Sequence, residues 1–247
     1  MKKLLILLLA ITFAAPVRAE TLTGEEILRK IDENMYVEQA VSETTMIIHG
    51  RSGTRTITSR NWAEGKTKAF VAYLSPAREK GKKMLKLEDK IWTYTPEPND
   101  RIITISGHLL RQSVMGSDLS YEDMTDNDKL YELYDAEVEG QEELNGISCY
   151  VLHLTARKQG LAYHTRRIWV DSERFLPVRE DRYAKSGKLL KTTDIVEMFQ
   201  QDGRWYPKKM IFKDMLSKGK GTEYIIETIG FDVDIPTYQF TKAALRR

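Results

Sequence analysis

The chain has 247 residues, with 38 basic and 36 acidic side chains, 41% hydrophobic residues and a single cysteine. A balance this even disfavours partnership with nucleic acid, which is drawn by a basic excess, and one thiol cannot form an internal disulfide. After the N-terminal segment no stretch approaches the roughly 20 consecutive apolar residues of a membrane-spanning helix.

Residues 1–19 have the three parts of a secretory signal: Lys2 and Lys3, an apolar run from Leu4 to Ala15, and a small-residue site at Val17-Arg18-Ala19. Export follows as the expectation, with 20–247 as one mature domain of 35 basic and 36 acidic residues. A chain of that size can bury roughly 70% of its unfolded surface in one core. Cys149 reads as a small buried hydrophobe on a strand.

Thr23 followed by Glu26 is a capping-box pattern, and Ile27, Leu28, Ile31 and Met35 form one helical stripe. The spacing predicts a helix from Thr23 to about Tyr36, laid against a sheet. From Glu43 onward the period shortens to two, and turn signals recur at short intervals. Strands are expected at 44–49, 54–62, 67–74, three within 83–105, and then 131–139, 147–156, 163–171, 177–183, 189–199, 205–215 and 223–233. Asn145-Gly146 and Asp202-Gly203 are hairpin signals, because type I′ turns need positive φ at both central positions. About a dozen consecutive antiparallel strands should curl into a barrel or half-barrel with one interior face free for a ligand. Charged positions at 166–171, 179–183, Lys208 and Lys209 read as a solvated convex face.

The stretch from Lys82 to Thr125 departs from this rhythm. Three short strands place Trp92 with Tyr94 and Ile103 with Ile105, and then Leu109, Leu110, Val114 and Met115 fall at helical spacing before Gly116. A second short helix is expected near Leu119, capped by Ser117 or Asp118. Two such helices can cover the mouth of a sheet or simply plug its core, and the pattern leaves both open.

The run MLKLEDKIWTYTPEPNDRIITISGHLLRQSVMGSDLSYEDM resembles the signature segment of the LolA-like family of outer-membrane lipoprotein-sorting proteins. The likeness extends to GISCYVLHLT, IWVDSERFLPVRED, GRWYPKKMIF and IPTYQFT. The resemblance implies a curved, unclosed antiparallel β-barrel with an N-terminal helix and lid helices over an apolar cavity. It also implies a periplasmic, non-enzymatic carrier of the acyl chains of lipids or lipoproteins. Its partners would be an inner-membrane transporter and an outer-membrane acceptor. The arginine that latches the lid in the best-known carriers has no evident counterpart here.

The chemistry searched for is missing from the sequence. No H-E-x-x-H, G-x-S-x-G or phosphate-binding loop occurs, and the histidines His49, His108, His153 and His164 are scattered. Asp123, Asp126 and Asp128 lack the glycine and distal glutamate of a calcium loop and read as an acidic solvated loop. No cofactor is expected. The expected lining is therefore Trp92, Tyr94, Ile103, Ile105, Leu109, Leu110, Val114, Met115 and Leu119. The alternative is an adaptor of the same fold with a filled core, docking on a membrane transporter. A weaker one is a lipid hydrolase, for which no nucleophile stands out.

Overall fold

The computed structural model describes residues 22–51, 53–125 and 130–247, so the expected signal lies outside the described residues. A single helix α1 (Gly24–Met35) leads into thirteen strands: β1 (Gln39–Gly50), β2 (Gly53–Glu64), β3 (Lys68–Ser75), β4 (Lys83–Leu87), β5 (Lys90–Thr95), β6 (Arg101–Ile105), β7 (Tyr134–Leu144), β8 (Ile147–Ala156), β9 (Thr165–Asp171), β10 (Pro177–Tyr183), β11 (Leu189–Gln201), β12 (Arg204–Asp214) and β13 (Gly221–Phe231). They form one antiparallel sheet in the order β6-β5-β4-β3-β2-β1-β13-β12-β11-β10-β9-β8-β7. Every step is a hairpin neighbour except β1–β13, which joins the two halves of the meander through ten paired residues. The sheet does not close, since β6 and β7 are its edges. Among the described residues no helix is long and apolar enough to cross a membrane.

The expected strands are all present, within a few residues. Asn145 and Gly146, and Asp202 and Gly203, have the positive φ that their turns require. One boundary moves: Tyr131 to Leu133 belong to a helical turn, α3 (Leu130–Leu133), and the strand starts only at Tyr134.

The capping box forms as expected, with the Thr23 hydroxyl accepting from the Glu26 amide at 3.2 Å and Glu26 accepting from the Thr23 amide at 2.7 Å. Ile27, Leu28 and Ile31 are almost fully buried against Tyr134, Leu152, Leu154, Ile168 and Val170, so α1 covers the β7–β9 end of the concave face. Gly24 lies so close to β7 that an added Cβ would sit 2.4 Å from the Ala136 carbonyl oxygen.

The other end of the concave face is apolar too. Met46, Ile48, Ile57, Val71, Tyr73, Met84, Ile91 and Ile105 form a cluster over β1–β6, covered by the 106–125 segment. On the opposite face Phe70, Leu85, Trp92 and Tyr94 are covered by the C-terminal tail, whose Ile235, Phe240, Ala244 and Leu245 are buried. Cys149 is fully buried on β8 beside Val151, Trp169 and Val178, and burial pushes its thiol up to about 11, consistent with a structural hydrophobe.

Replacing Gly24 by Ala should force α1 away from β7. We expect Gly24→Ala to lower unfolding free energy by about 1–3 kcal/mol, the usual range for overpacking, as read by urea denaturation. An unchanged midpoint would show that α1 shifts without cost.

Candidate functional site

Alternation along the strands assigns each side chain to a face, and cross-strand pairing fixes which residues share it. Ile91 pairs with Ile105, Thr93 with Ile103 and with Met84, so these residues share the concave face. Trp92 pairs with Leu85 and Thr104, and Tyr94 with Lys83, on the other face. Trp92 and Tyr94 therefore do not lie with Ile103 and Ile105. They pack beneath the C-terminal tail, with the Lys242 ammonium 4.3 Å from the centre of the Trp92 ring. The expectation placed them one residue out of phase, because large aromatics drew the assignment where Met84 and Ile91 carry the concave pattern.

Of the remaining expected residues, Ile105 is buried in the concave cluster, and Leu109, Leu110, Met115 and Leu119 pack onto it from above. Val114 is buried within the covering segment, whereas Ile103 stands at an exposed rim. The segment is less helical than its spacing suggests. It consists of 3-10 turns at Gly107–Arg111 and Val114–Gly116, with Met115 at φ 52°, and then the short helix α2 (Tyr121–Thr125). Ser120, not Ser117 or Asp118, caps α2. Its hydroxyl and amide donate to the Asp123 carboxylate at 2.8 and 2.7 Å.

Asp118 instead fastens the segment to the β12–β13 hairpin. Its carboxylate accepts from the Thr222 hydroxyl at 2.7 Å, the Asp214 amide at 3.0 Å and the Ser217 hydroxyl at 3.2 Å. From β2, Arg55 donates to the Met115 carbonyl at 2.8 Å. The segment is thus a strap tied down at several points by directional bonds, with a half-buried apolar underside.

Asp123 is not part of a solvated acidic loop, and Asp126 and Asp128 lie outside the described residues. Its side chain is 5% exposed, pairs with Lys191, accepts from the Tyr163 hydroxyl at 2.5 Å and lies 3.7 Å from Arg182. The charges of β9 and β10 likewise do not all face solvent. Arg166, Glu180 and Arg182 share the concave face, where Arg166 donates to Glu180 at 2.9 Å and Arg182 at 2.6 Å. Burial alone would raise Glu180 and Asp123. The cations beside them more than offset it: Arg182 and Arg166 hold Glu180 at about 2, and Lys191 and Arg182 hold Asp123 at about 2. Both are carboxylates at neutral pH. The sequence hid this rung because a buried ion-pair row has the same alternating charge pattern as a solvated one.

Two adjoining cavities flank the rung. One, of about 430 Å³, has a floor of Val71, Met84, Ile195, Met210, Phe212 and Tyr224 and is bordered from the strap by Leu119 and Met124. The other, of about 490 Å³, lies beside α1 and is lined by Ile31, Val37, Ala40, Ile226 and Ile229 among others. Met35 and Glu180 line both, so the cavities meet where the helix end faces the rung. Each volume lies within the roughly 300–1,000 Å³ of small-molecule sites. Of the residues expected to line a cavity, Leu119 does so; Leu109, Leu110 and Met115 fill the concave cluster beside it.

A family model described as "Uncharacterized protein" matches residues 65–247. No curated protein matches the chain. Among solved structures, a DUF1329 family protein from Desulfovibrio piger superposes with a TM-score of 0.83 at 25% identity, covering 90% of this chain and 98% of that one. A candidate outer membrane lipoprotein-sorting protein domain from Vibrio parahaemolyticus gives 0.81 at 22% identity, covering 91% and 98%. A LolA superfamily protein from Nitrosomonas europaea gives 0.74 at 22% identity, covering 91% and 100%. The fold is that of the LolA superfamily.

The depressed values of Glu180 and Asp123 set a pH dependence. Ordinary carboxylates titrate near pH 4, so the stability these two contribute is complete above about pH 5 and is lost as pH falls through 4 toward 2. Urea midpoints should be flat from pH 7 to 5 and drop below that. Asp123→Asn leaves Lys191 and Arg182 facing one another and should cost about 3–5 kcal/mol at pH 7, with a shallower acid slope. A wild-type slope retained in the variant would mean Asp123 is not a source of it.

Proposed function

The chain belongs to the uncharacterized-protein family whose model it matches, and from that membership and the LolA-superfamily fold we propose that it is a non-enzymatic periplasmic carrier of acyl chains. The observation that carries this reading is the pair of adjoining, largely apolar cavities between the sheet and its covers. An adaptor with a filled core would have no use for them. Each CH₂ moved from water onto such a surface gains about 0.8 kcal/mol, which is the binding energy a carrier of acyl chains needs. The Vibrio parahaemolyticus relative's description as a lipoprotein-sorting domain supports the same reading, with lipids or lipoproteins as cargo. An inner-membrane transporter would supply the cargo and an outer-membrane acceptor would receive it.

Cargo enters or leaves when the strap lifts. Leu119 and Met124 border the cavity while Asp118 and Asp123 hold the strap by polar bonds. Hydrogen bonds to charged groups exchange for water at a net cost of about 1.5–3 kcal/mol each, so opening costs several kcal/mol but does not require unfolding the sheet. The apolar cluster under Leu109, Leu110 and Met115 stays as the hinge side.

An acyl chain bearing a photoreactive group should label peptides containing Met84, Met124 or Met210. Met210→Trp, which fills the cavity floor, should abolish labelling while circular dichroism stays unchanged. Labelling confined to the surface, or undiminished in Met210→Trp, would contradict acyl carriage at this site.

A further inference from the structure

Residues 20–247 are nearly balanced in charge, but the hairpin connections sort that charge between the two ends of the sheet. In an antiparallel meander alternate connections share an end, and the register brings 51–52, 157–164, 184–188 and 215–220 to the same one. These four carry seven basic side chains and no acidic one. The other two at this end, 76–82 and 96–100, are balanced, with Arg78, Lys80 and Lys82 against Glu79, Glu97 and Asp100. At the opposite end 65–67, 88–89, 145–146, 172–176 and 202–203 carry Glu88, Asp89, Glu173 and Asp202, and their two cations, Lys66 and Arg174, are each paired with an aspartate. Arg51, Lys158, Lys185, Lys188, Lys218 and Lys220 all stand exposed, and none makes an ion pair among the described residues.

Two apolar side chains stand among these cations. Met215 and Leu216 share a turn with Lys218 and Lys220 and are 45% and 60% exposed, Leu216 being the most exposed large hydrophobic side chain among the described residues. The turn is pinned in this form. The Met215 amide donates to the Leu190 carbonyl at 2.9 Å, the Leu216 amide to the Asp214 carboxylate at 2.8 Å, and the Lys220 amide to the His49 carbonyl at 2.9 Å. An exposed apolar pair rimmed by cations suits an anionic bilayer surface, where apolar side chains enter the head-group layer and lysines stay at the phosphates. The composition favours lipid over an acidic protein. Five of the six cations are lysines, which protein interfaces tend to exclude in favour of arginine, whereas a fluid layer of phosphates asks for charge without fixed geometry. The strap lies at this same end. A cleft of about 400 Å³ opens there between the strap, Leu161 and Leu216, and Leu119 lines both that cleft and the cavity beneath the strap.

We propose that this end of the sheet docks on an anionic lipid bilayer, with Met215 and Leu216 entering the head-group layer and the surrounding lysines meeting lipid phosphates. Docking in this way turns the strap toward the membrane. The inference does not rest on acyl carriage.

The test is flotation of the purified protein with vesicles of phosphatidylcholine alone and of equal parts phosphatidylcholine and phosphatidylglycerol. Wild type should float with the anionic vesicles only, and should be released as salt rises from about 0.1 to 1 M, which shortens the screening length from about 10 to 3 Å. Each basic side chain at an anionic surface raises partitioning about five-fold, the equivalent of about 1 kcal/mol. Lys218→Gln with Lys220→Gln should therefore weaken binding about twenty-fold, and Met215→Ser with Leu216→Ser at least ten-fold, all with unchanged melting temperature. Lys30→Gln with Lys90→Gln, the same change in net charge away from this end, should cost less than about two-fold. Equal losses in the two lysine pairs, wild-type binding in the serine pair, or equal flotation with both vesicles would overturn the docking face. Retention on immobilised polyglutamate without flotation would assign the face to an acidic protein and overturn the lipid partner. Displacement of a fluorescent acyl probe should be the same in all three variants, so a failure of docking leaves the carrier reading standing and a failure of probe binding leaves docking standing. The comparison of the two vesicles in wild type decides the matter even if a variant does not fold.

Discussion

A thirteen-stranded antiparallel sheet that twists but does not close has a concave face too large for its own side chains to fill, and the rest of the molecule answers to that constraint. Helix α1 covers one end through Ile27, Leu28 and Ile31. The strap from Ser106 to Thr125 covers the other through Leu109, Leu110, Met115 and Leu119. Over the middle, β9 to β12, the covers meet the sheet only at their ends, Met35 of α1 and Leu119, Asp123 and Met124 of the strap. The cavities are what is left between two covers of fixed length on a sheet of this width. The C-terminal tail does the same for the outer face of β3–β5, where Phe70, Leu85, Trp92 and Tyr94 would otherwise lie open.

The middle of the concave face is crossed by ionised side chains instead of more aliphatic ones. A row of Arg166, Glu180, Arg182, Asp123 and Lys191 is a costly thing to bury, and well-packed apolar residues would often be as stable. Its presence ties the strap to the sheet, since Asp123 comes from α2 and Lys191 from β11. It also divides the interior into an aliphatic floor and a polar junction.

Much of the fold was legible in the sequence. The capping box at Thr23 and Glu26, the helical stripe above Ile27, the Asn145-Gly146 and Asp202-Gly203 turns and the run of period-two segments each have a local cause, and each formed as read. The site was less legible, for reasons that are also physical. Assigning a strand face needs the pairing register, and a shift of one residue moves Trp92 and Tyr94 from the interior to the outer cluster. Helical spacing in Leu109 to Met115 was met by 3-10 turns, because the strap bends at Met115 to follow the sheet's mouth. The rung at Arg166, Glu180 and Arg182 could not be told from a solvated surface, since alternation reports that two faces differ but not which one meets water.

On the carrier reading, an acyl ligand occupies the space between sheet, α1 and strap when the protein is in its native compartment. Native mass spectrometry of the protein isolated without detergent from its source cells tests this most directly. The account predicts a bound species that separates on denaturation and fragments as an acyl-bearing lipid, reduced in Met210→Trp. A single mass equal to the bare polypeptide, in wild type and variant alike, would contradict it.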